Sequence, residues 1–434
     1  MTRFKGYPSL EFKTPKLIRT AQSLRLEQHL TYCAQHSPYY RRLFKKAGIR
    51  INAIGLDNLA SIPLTDKTDF ARHNNEFLAV PQTDIVDIVL SSGTTGKPSR
   101  IMYTERDLQR LAYNEHLSFA SCGITSADTA LLTCTMDRCF IAGLAYFLGI
   151  RSLGAAAIRN GHGTLTSHMD IIRTIKPTVL VGVPSFLRRL GHFLKEHGLN
   201  PRKTSLRSLV CIGEPVSGQD MHPLKLGHDI EELWNAGVFS TYASSECITT
   251  FCECTARQGG HLHPDLAIIE IIDEQDQPVE PGTRGEVVLT PLAIQGMPLV
   301  RFKTGDISFL INEPCACGRK SPRLGPILGR KQHMMKVRGT SLYPQAVFAA
   351  MDEIRGMGDY YLEITNTAEL SDELILHISA RAGQPQANSI REHLQSKLRV
   401  TPSIVIDPED EIRHHLYSPE SRKPVRIIDR RTVK

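Results

Sequence analysis

The chain has 434 residues, 41% apolar and 22% charged, and its 52 Lys and Arg against 45 Asp and Glu give a net charge of +7. That length can bury a large core and predicts two or more domains. The basic residues are scattered, without the basic block or interleaved aromatics that track nucleic acid, and no apolar run approaches the roughly 20 residues that span a bilayer. With no signal-peptide layout and ten cysteines lacking framework spacing, the expectation is a cytoplasmic protein with reduced thiols and neither nucleic acid nor membrane as partner.

The first 80 or so residues read as helical and irregular. Residues 24–36 carry leucines and aromatics at near-helical spacing, and Ser37-Pro38-Tyr39-Tyr40 opens a second amphipathic helix closed by Gly48. Residues 85–90 read as a buried strand running into Ser91-Ser92-Gly93-Thr94-Thr95-Gly96-Lys97-Pro98. In that loop glycines free the backbone, hydroxyls and successive N–H groups can face an anion, and Lys97 adds a cation, a set suited to polyphosphate. It is not a Walker A loop, because two residues separate Gly93 from Gly96-Lys97 and proline follows the lysine. Composition alone is equally compatible with a turn that binds nothing.

From residue 84 to about 242, strand-like runs at 129–133, 178–183 and 208–212 alternate with helical stretches. That rhythm predicts a mainly parallel sheet covered by helices, with ligands beyond the carboxyl ends of its strands. After Glu246 the texture turns to β, and 267–272 and 285–290 read as paired strands across a Pro-rich turn. Beyond Gly329, strands at 361–365, 373–379 and 403–406 with a helix at 389–398 make a compact α+β unit. The expected fold is α/β: a large domain, 1–330, with mainly parallel sheets and a β-rich subdomain, and a small mobile α+β domain, 331–434.

Six stretches stand in an order that resembles the acyl-adenylate-forming enzymes. They are Ser91 to Pro98, Gly213-Glu214-Pro215, Tyr242-Ala243-Ser244-Ser245-Glu246, Lys303-Thr304-Gly305-Asp306, Gly329-Arg330, and the terminal Arg422-Lys423-Pro424-Val425-Arg426-Ile427-Ile428-Asp429. Ser37-Pro38-Tyr39-Tyr40, Cys315-Ala316-Cys317-Gly318-Arg319 and the run from Val337 to Gln345 resemble the phenylacetate-coenzyme A ligase branch. The resemblance implies two steps. A small carboxylic acid attacks the α-phosphate of ATP to give an acyl adenylate and pyrophosphate, and a thiol, usually that of coenzyme A, then displaces AMP.

It also implies roles. Ser91, Ser92, Gly93, Thr94, Thr95, Gly96 and Lys97 would hold the β- and γ-phosphates, and Glu246 the magnesium ion (Mg2+) bridging them. Tyr242 would stack on adenine with Ala243, Ser244 and Ser245 beside it, and Gly213, Glu214 and Pro215 would line the nucleotide pocket. Asp306 would accept both ribose hydroxyls, Arg330 would contact ribose or phosphate, and Lys423 would reach the carboxylate and α-phosphate from the small domain. Rotation about a hinge would then present residues 336–341 for thioester formation. Two departures stand out: the hinge is Gln332, followed by His333, where aspartate or lysine is usual, and Ala243 replaces the usual glycine. Taken singly, Glu246 is a helix-start glutamate, Thr304-Gly305-Asp306 a turn and Lys423 a solvated tail lysine.

Cys254, His261, Cys315 and Cys317 would close a tetrahedral structural zinc (Zn2+) site, with Cys252 and His263 near enough to substitute. Similar positions occur in some members of the branch, and reduced core cysteines are the plain alternative. Residues 136–145 would wall the acyl pocket, Gly143 and Ala145 leaving room for the ring of an aryl or arylacetic acid, although core packing gives the same pattern. Two other readings stay open: loading of a carrier-protein phosphopantetheine, and an acyltransferase or binding protein that has lost adenylation. A homodimer is compatible with all of them.

Overall fold

A computed structural model of the chain describes residues 4–91, 99–337, 340–366, 372–380, 385–398, 400, 402–417 and 424–431. It divides into two compact units, one of Met1–Pro223 with Gly227–Ile327, the other of Leu224–Leu226 with Leu328–Lys434.

In the first unit, helix α1 spans Pro15–His36. It starts upstream of the leucine-spaced stretch because Thr14 accepts from the Leu17 N–H and Pro15 fits the first turn. Ser37 caps α2, Pro38–Lys46, in the same way. Tyr39 and Tyr40 are buried, Tyr39 stacking on Phe77 at 4.0 Å, so this aromatic pair packs the core. Asp66 caps the short α3, Lys67–Arg72, and α4, Asn74–Phe77, follows.

Strands β1, Ile85–Leu90, and β2, Arg100–Thr104, form an antiparallel hairpin. Here the expectation of a buried strand is corrected. Val86 and Ile88 are 53% and 43% exposed, because β1 pairs only with β2 and stands outside the main sheet. Helix α5, Glu105–Ser121, follows with a capping box between Thr104 and Asp107.

The main sheet contains β3 (Thr129–Leu132), β4 (Ala156–Arg159), β5 (Val179–Gly182), β6 (Ser208–Ile212), β7 (Gly237–Ser244) and β8 (Thr249–Cys252). Their order is β4-β3-β5-β6-β7-β8, parallel throughout except for the antiparallel β7–β8 pair. The connecting helices are α6 (Ile141–Leu153), α7 (Leu165–Thr174), α8 (Pro184–Glu196) and α9 (Lys225–Trp234). β5 and β6 are buried along their whole length, which is why they read as unbroken apolar runs rather than alternating ones.

Gly143 does not make room for a substrate ring. A Cβ there would stand 2.2 Å from the Thr135 carbonyl oxygen, so the missing side chain lets α6 lie against the exit of β3. Ala145 is buried in the core, and the core-packing reading holds for both residues.

The β-rich part comprises β9 (Gly260–His261), β10 (Ala267–Ile272), β11 (Gly285–Pro291), β12 (Phe302–Ser308), β13 (Leu310–Ile311) and β14 (Arg323–Leu324). β10 and β11 pair antiparallel as expected, with Ala267 opposite Pro291, and β12 pairs with β11. β9, β14 and β13 form a separate small sheet.

The second unit is built on four strands in the spatial order Ser403–Asp407, Asp372–Ser379, Tyr360–Asn366, Ile427–Asp429. The central pair is antiparallel and each outer strand runs parallel to its neighbour. Helices Pro344–Asp352, Ala387–Leu398 and Glu409–Leu416 accompany them, around a core that includes Met351, Leu362, Leu376 and Ile390. Gln332 lies in a 3-10 turn, and its carbonyl accepts a hydrogen bond from Arg431 at 2.8 Å. No helix among the described residues is long and apolar enough to cross a membrane.

One buried carboxyl makes stability depend on pH. Glu115, on α5, accepts a hydrogen bond from the Thr250 hydroxyl, and burial pushes its pKa up to about 7. The folded chain therefore keeps a proton on Glu115 at pH values where the unfolded chain, titrating near 4.5, has lost it. Folding is weakened as pH rises from about 4.5 to about 7, on the order of 3 kcal/mol for this group in full. Glu115→Gln keeps the acceptor without the charge. Its stability relative to the unaltered chain is expected to rise between pH 5 and pH 8 in urea titrations, and an identical pH slope in both proteins would refute the assignment.

Candidate active site and metal centre

Three adjacent parallel strands, β5, β6 and β7, end at one edge of the main sheet, where such sheets receive ligands. β6 runs into Gly213, whose φ of +75 turns the chain. Next to it, Glu214 directs both carboxylate oxygens at Ser185, accepting from its N–H at 2.9 Å and from its hydroxyl at 2.9 Å. The carboxylate thus caps the first turn of α8 and ties the turn after β6 to the exit of β5. Pro215, half-buried, follows in that turn.

β7 carries Tyr242, which donates its hydroxyl to Asp306 Oδ2 at 2.9 Å. Burial and the neighbouring Asp306 charge push the phenol pKa well above its usual value, so the phenol stays protonated. The ring lies nearly parallel to Phe251, 6.2 Å between centroids. Asp306 sits on β12, its N–H on the Thr304 hydroxyl at 3.1 Å. Two sheets therefore meet here, one bringing an aromatic plane and the other a carboxylate.

Ala243 is exposed, and the turn after it is held from both sides. The Cys247 N–H bonds to the Ser244 hydroxyl at 3.3 Å, and the Tyr103 hydroxyl donates to the Ser245 carbonyl at 3.1 Å. This fixes Glu246, with a carboxylate 3.5 Å from the Ser244 hydroxyl and 3.9 Å from the Lys67 ammonium. A carboxylate beside a hydroxyl is a hard oxygen donor set of the kind magnesium takes.

Ser91 closes the neck of the β1–β2 hairpin. Its N–H donates to the Ser99 carbonyl at 2.9 Å, and its hydroxyl accepts from the Ser99 N–H at 3.0 Å. Ser92, Gly93, Thr94, Thr95, Gly96 and Lys97 lie outside the described residues, as do Arg338, Gly339 and Lys423. Arg330 belongs to the second unit.

On the β-rich side, the ligand atoms of Cys254, His261, Cys315 and Cys317 all fall within 4.8 Å of one another. Cys254 leaves β8, His261 is on β9, and the Cys-Ala-Cys segment lies between β13 and β14, the strand that pairs His261 with Arg323. Cys254 Sγ and Cys315 Sγ are 3.6 Å apart, and Cys317 Sγ is 3.3 Å from His261 Nε2. Tetrahedral zinc with bonds of about 2.3 Å to sulfur and 2.0 Å to nitrogen places its ligand atoms roughly 3.5–3.8 Å apart, so the set fits. Burial drives the His261 pKa down to about 3, which keeps the imidazole neutral, and Ser321 stands 3.5 Å from Nδ1. The two possible substitutes are engaged elsewhere. Cys252 contacts the Cys122 thiol at 3.2 Å and the Thr241 hydroxyl at 3.0 Å, while His263 is bound by Glu11 and, at 3.2 Å, Ser118.

The sequence profile of the AMP-binding enzyme family matches residues 40–292, a span that includes the β1–β2 hairpin, the turns after β6 and β7, and Glu246. The chain belongs to the AMP-binding enzyme family. A phenylacetate-coenzyme A ligase of Thermus thermophilus is 31% identical over 382 residues, 86% of this AMP-binding enzyme and 83% of the relative. Among solved structures, 2-hydroxyisobutyryl-CoA ligase in the postadenylation state with 2-HIB-AMP superposes with a TM-score of 0.85 at 24% identity, over 97% of this chain and 91% of that one. The same ligase with 2-HIB-AMP and CoA in the thioesterification state gives 0.72 at 25% identity, over 98% and 92%.

Sequence reading of this AMP-binding enzyme missed Lys67, Tyr103 and Ser185 at the site. Ser185 carried a faint signal, a hydroxyl beside proline at a helix start, but nothing named Glu214 as its partner. Lys67 and Tyr103 reach Glu246 and Ser245 from distant parts of the chain, and no local pattern encodes that.

Proposed function

We propose that the chain is an AMP-forming acid-thiol ligase that activates an aryl or arylacetic acid with ATP and passes the acyl group to coenzyme A. The observation that carries this is the Tyr242–Asp306 contact at the carboxyl edge of the parallel sheet, one turn from Glu246. The likeness to phenylacetate-coenzyme A ligases over most of the chain supports it.

In the first step a carboxylate oxygen of the acid bonds to the α-phosphorus of ATP, and the bond from that phosphorus to the pyrophosphate oxygen breaks. In the second, the thiol sulfur attacks the acyl carbon, AMP leaves and the thiol proton is released. The protein's share is positioning and charge neutralisation. Tyr242 presents its ring to adenine, Asp306 accepts from the ribose hydroxyls, and Glu214 holds the wall between β5 and β6 in place. Glu246 would hold magnesium, which when bound would supply positive charge to the phosphates. Ser91 and residues 92–97 take the β- and γ-phosphates, Arg330 the ribose or phosphate, and Lys423 the α-phosphate and carboxylate.

The same reading divides the chain at 330/331 into a large domain and a small mobile one that turns about Gln332. It places structural zinc on Cys254, His261, Cys315 and Cys317, with no ligand position left for catalysis. It sets the protein in the cytoplasm, in keeping with ten cysteines of which none is paired in a disulfide. The test is carboxylate-dependent ATP–pyrophosphate exchange across aryl, arylacetic and short acyl acids. Exchange with one aromatic class, followed by thioester formation with coenzyme A, is expected. Thioester formation only on a carrier-protein phosphopantetheine would redirect the second step, and no exchange with any acid would sink the adenylation reading.

A further inference from the structure

Lys67 is paired only loosely with its carboxylate partner. Its ammonium is 3.9 Å from Glu246 Oε1, beyond the roughly 2.7–2.9 Å of a direct charge-assisted hydrogen bond. Among the described residues it has no other ion pair or hydrogen bond, and its side chain is 29% exposed.

Its position is nevertheless built. Thr65 forms a parallel bridge to Phe302, its N–H donating to the Arg301 carbonyl at 3.1 Å and its carbonyl accepting from the Lys303 N–H at 2.8 Å. The Thr65 hydroxyl also donates to the Val300 carbonyl at 3.0 Å. Arg301 binds the carbonyls of Ala60 and Ile62, the first at 2.9 Å, anchoring the approach from upstream. The segment ending in Lys67 is thus stitched to β12, the strand that carries Asp306, and the stitching delivers the ammonium to Glu246.

Charge balance then decides what the ammonium is for. Glu246 and Lys67 neutralise each other when nothing is bound. A divalent cation on Glu246 reverses the local charge and repels the lysine, unless an anion arrives with the metal and takes it over. We infer that Lys67 is a second phosphate-binding cation of this site, pairing with a β- or γ-phosphate oxygen of magnesium–ATP as the metal displaces it from Glu246. The assignment rests on the adenylation reading and adds to it a residue from outside the phosphate loop.

The experiment is calorimetric titration of the full chain with magnesium–ATP and, separately, with AMP, for the unaltered protein, Lys67→Met and Lys67→Arg. Thermal melting confirms that each is folded. Loss of one charge-assisted contact predicts magnesium–ATP binding weakened about tenfold to a hundredfold in Lys67→Met, with AMP binding changed less than about twofold and much of the loss recovered in Lys67→Arg. AMP has no β- or γ-phosphate, so a merely structural role for Lys67 would weaken both nucleotides together, and that result would overturn the assignment. Unchanged magnesium–ATP affinity in Lys67→Met would overturn it equally, leaving Lys67 as the resting counter-ion of Glu246. If the unaltered chain bound neither nucleotide, the adenylation reading itself would fall and take this inference with it.

Discussion

Cys315→Ser is expected to empty the four-residue metal site and cost the first unit roughly 4 kcal/mol of stability or more, a size that loss of a metal reaches and a surface substitution does not. The reason is topological as well as chemical. Cys254 follows the edge strand of the main sheet, His261 lies on β9, and Cys315 and Cys317 lie beyond β13, so one ion bound there would tie three segments separated in sequence. Without it, soft ligands 3.6 Å and 3.3 Å apart lose the bonds that would join them across the short β9–β14 and β13–β14 pairings. Metal analysis of the purified chain should find about one zinc per chain, falling to near zero in Cys315→Ser, with a matching drop in the urea midpoint. Cys252→Ser is the control. That thiol faces Cys122 and Thr241, so the variant should keep its zinc. Equal zinc content in Cys315→Ser and the unaltered chain would remove Cys315 from the ligand set, and an unaltered chain without zinc would leave the cluster as reduced thiols.

Much of the main sheet was legible because its central strands β5 and β6 are buried on both faces. Residues 208–212 form an apolar run with no alternation, and a strand covered on both sides has no polar face to write into the sequence. The pairing of β10 with β11 was legible for a different reason, a turn rich in proline between two β-branched runs. Burial of β1 was misjudged because Ile85 to Leu90 has the composition of a core strand but the partners of a hairpin. Strand neighbours are set by tertiary pairing, which composition does not report. Gly143 shows the same limit at a single residue. A small side chain means either space for a ligand or close approach of backbone, and only the Thr135 carbonyl 2.2 Å from its missing Cβ distinguishes the two.

The site divides along similar lines. Tyr242 and Asp306 were named from short motifs, yet the hydrogen bond joining them spans two sheets, and no motif carries it. Glu214 was expected to line the nucleotide pocket, and its carboxylate accepts from the Ser185 N–H and hydroxyl, a partner that no motif names. Motifs therefore located the residues better than they described what each one touches.

Lys423→Ala is expected to lower carboxylate-dependent ATP–pyrophosphate exchange about 10²–10³-fold, the scale of removing one electrostatic stabiliser of a developing charge. Conversion of a supplied acyl adenylate to the thioester should change only a few-fold, since the role proposed for Lys423 is to neutralise charge during attack on the α-phosphate, and that step is already complete. The assignment has two rivals in the same basic tail, Arg422 and Arg426. Arg426 is occupied inside the second unit: its guanidinium lies over the Phe348 ring at 4.3 Å and the Tyr360 ring at 4.7 Å, and it is 3.7 Å from Asp352. A cation packed in that way is anchored in its own unit and poorly suited to reach a nucleotide, which leaves Arg422 and Lys423. A lysine is the better candidate for a charge that must arrive for one step and leave for the next, because its ammonium is a compact point charge on a flexible stem. Arg422→Ala should accordingly lose far less exchange than Lys423→Ala. The reverse ranking would shift the catalytic cation to Arg422, and equal losses in both half-reactions for Lys423→Ala would mean that the lysine positions the small domain rather than stabilising adenylation.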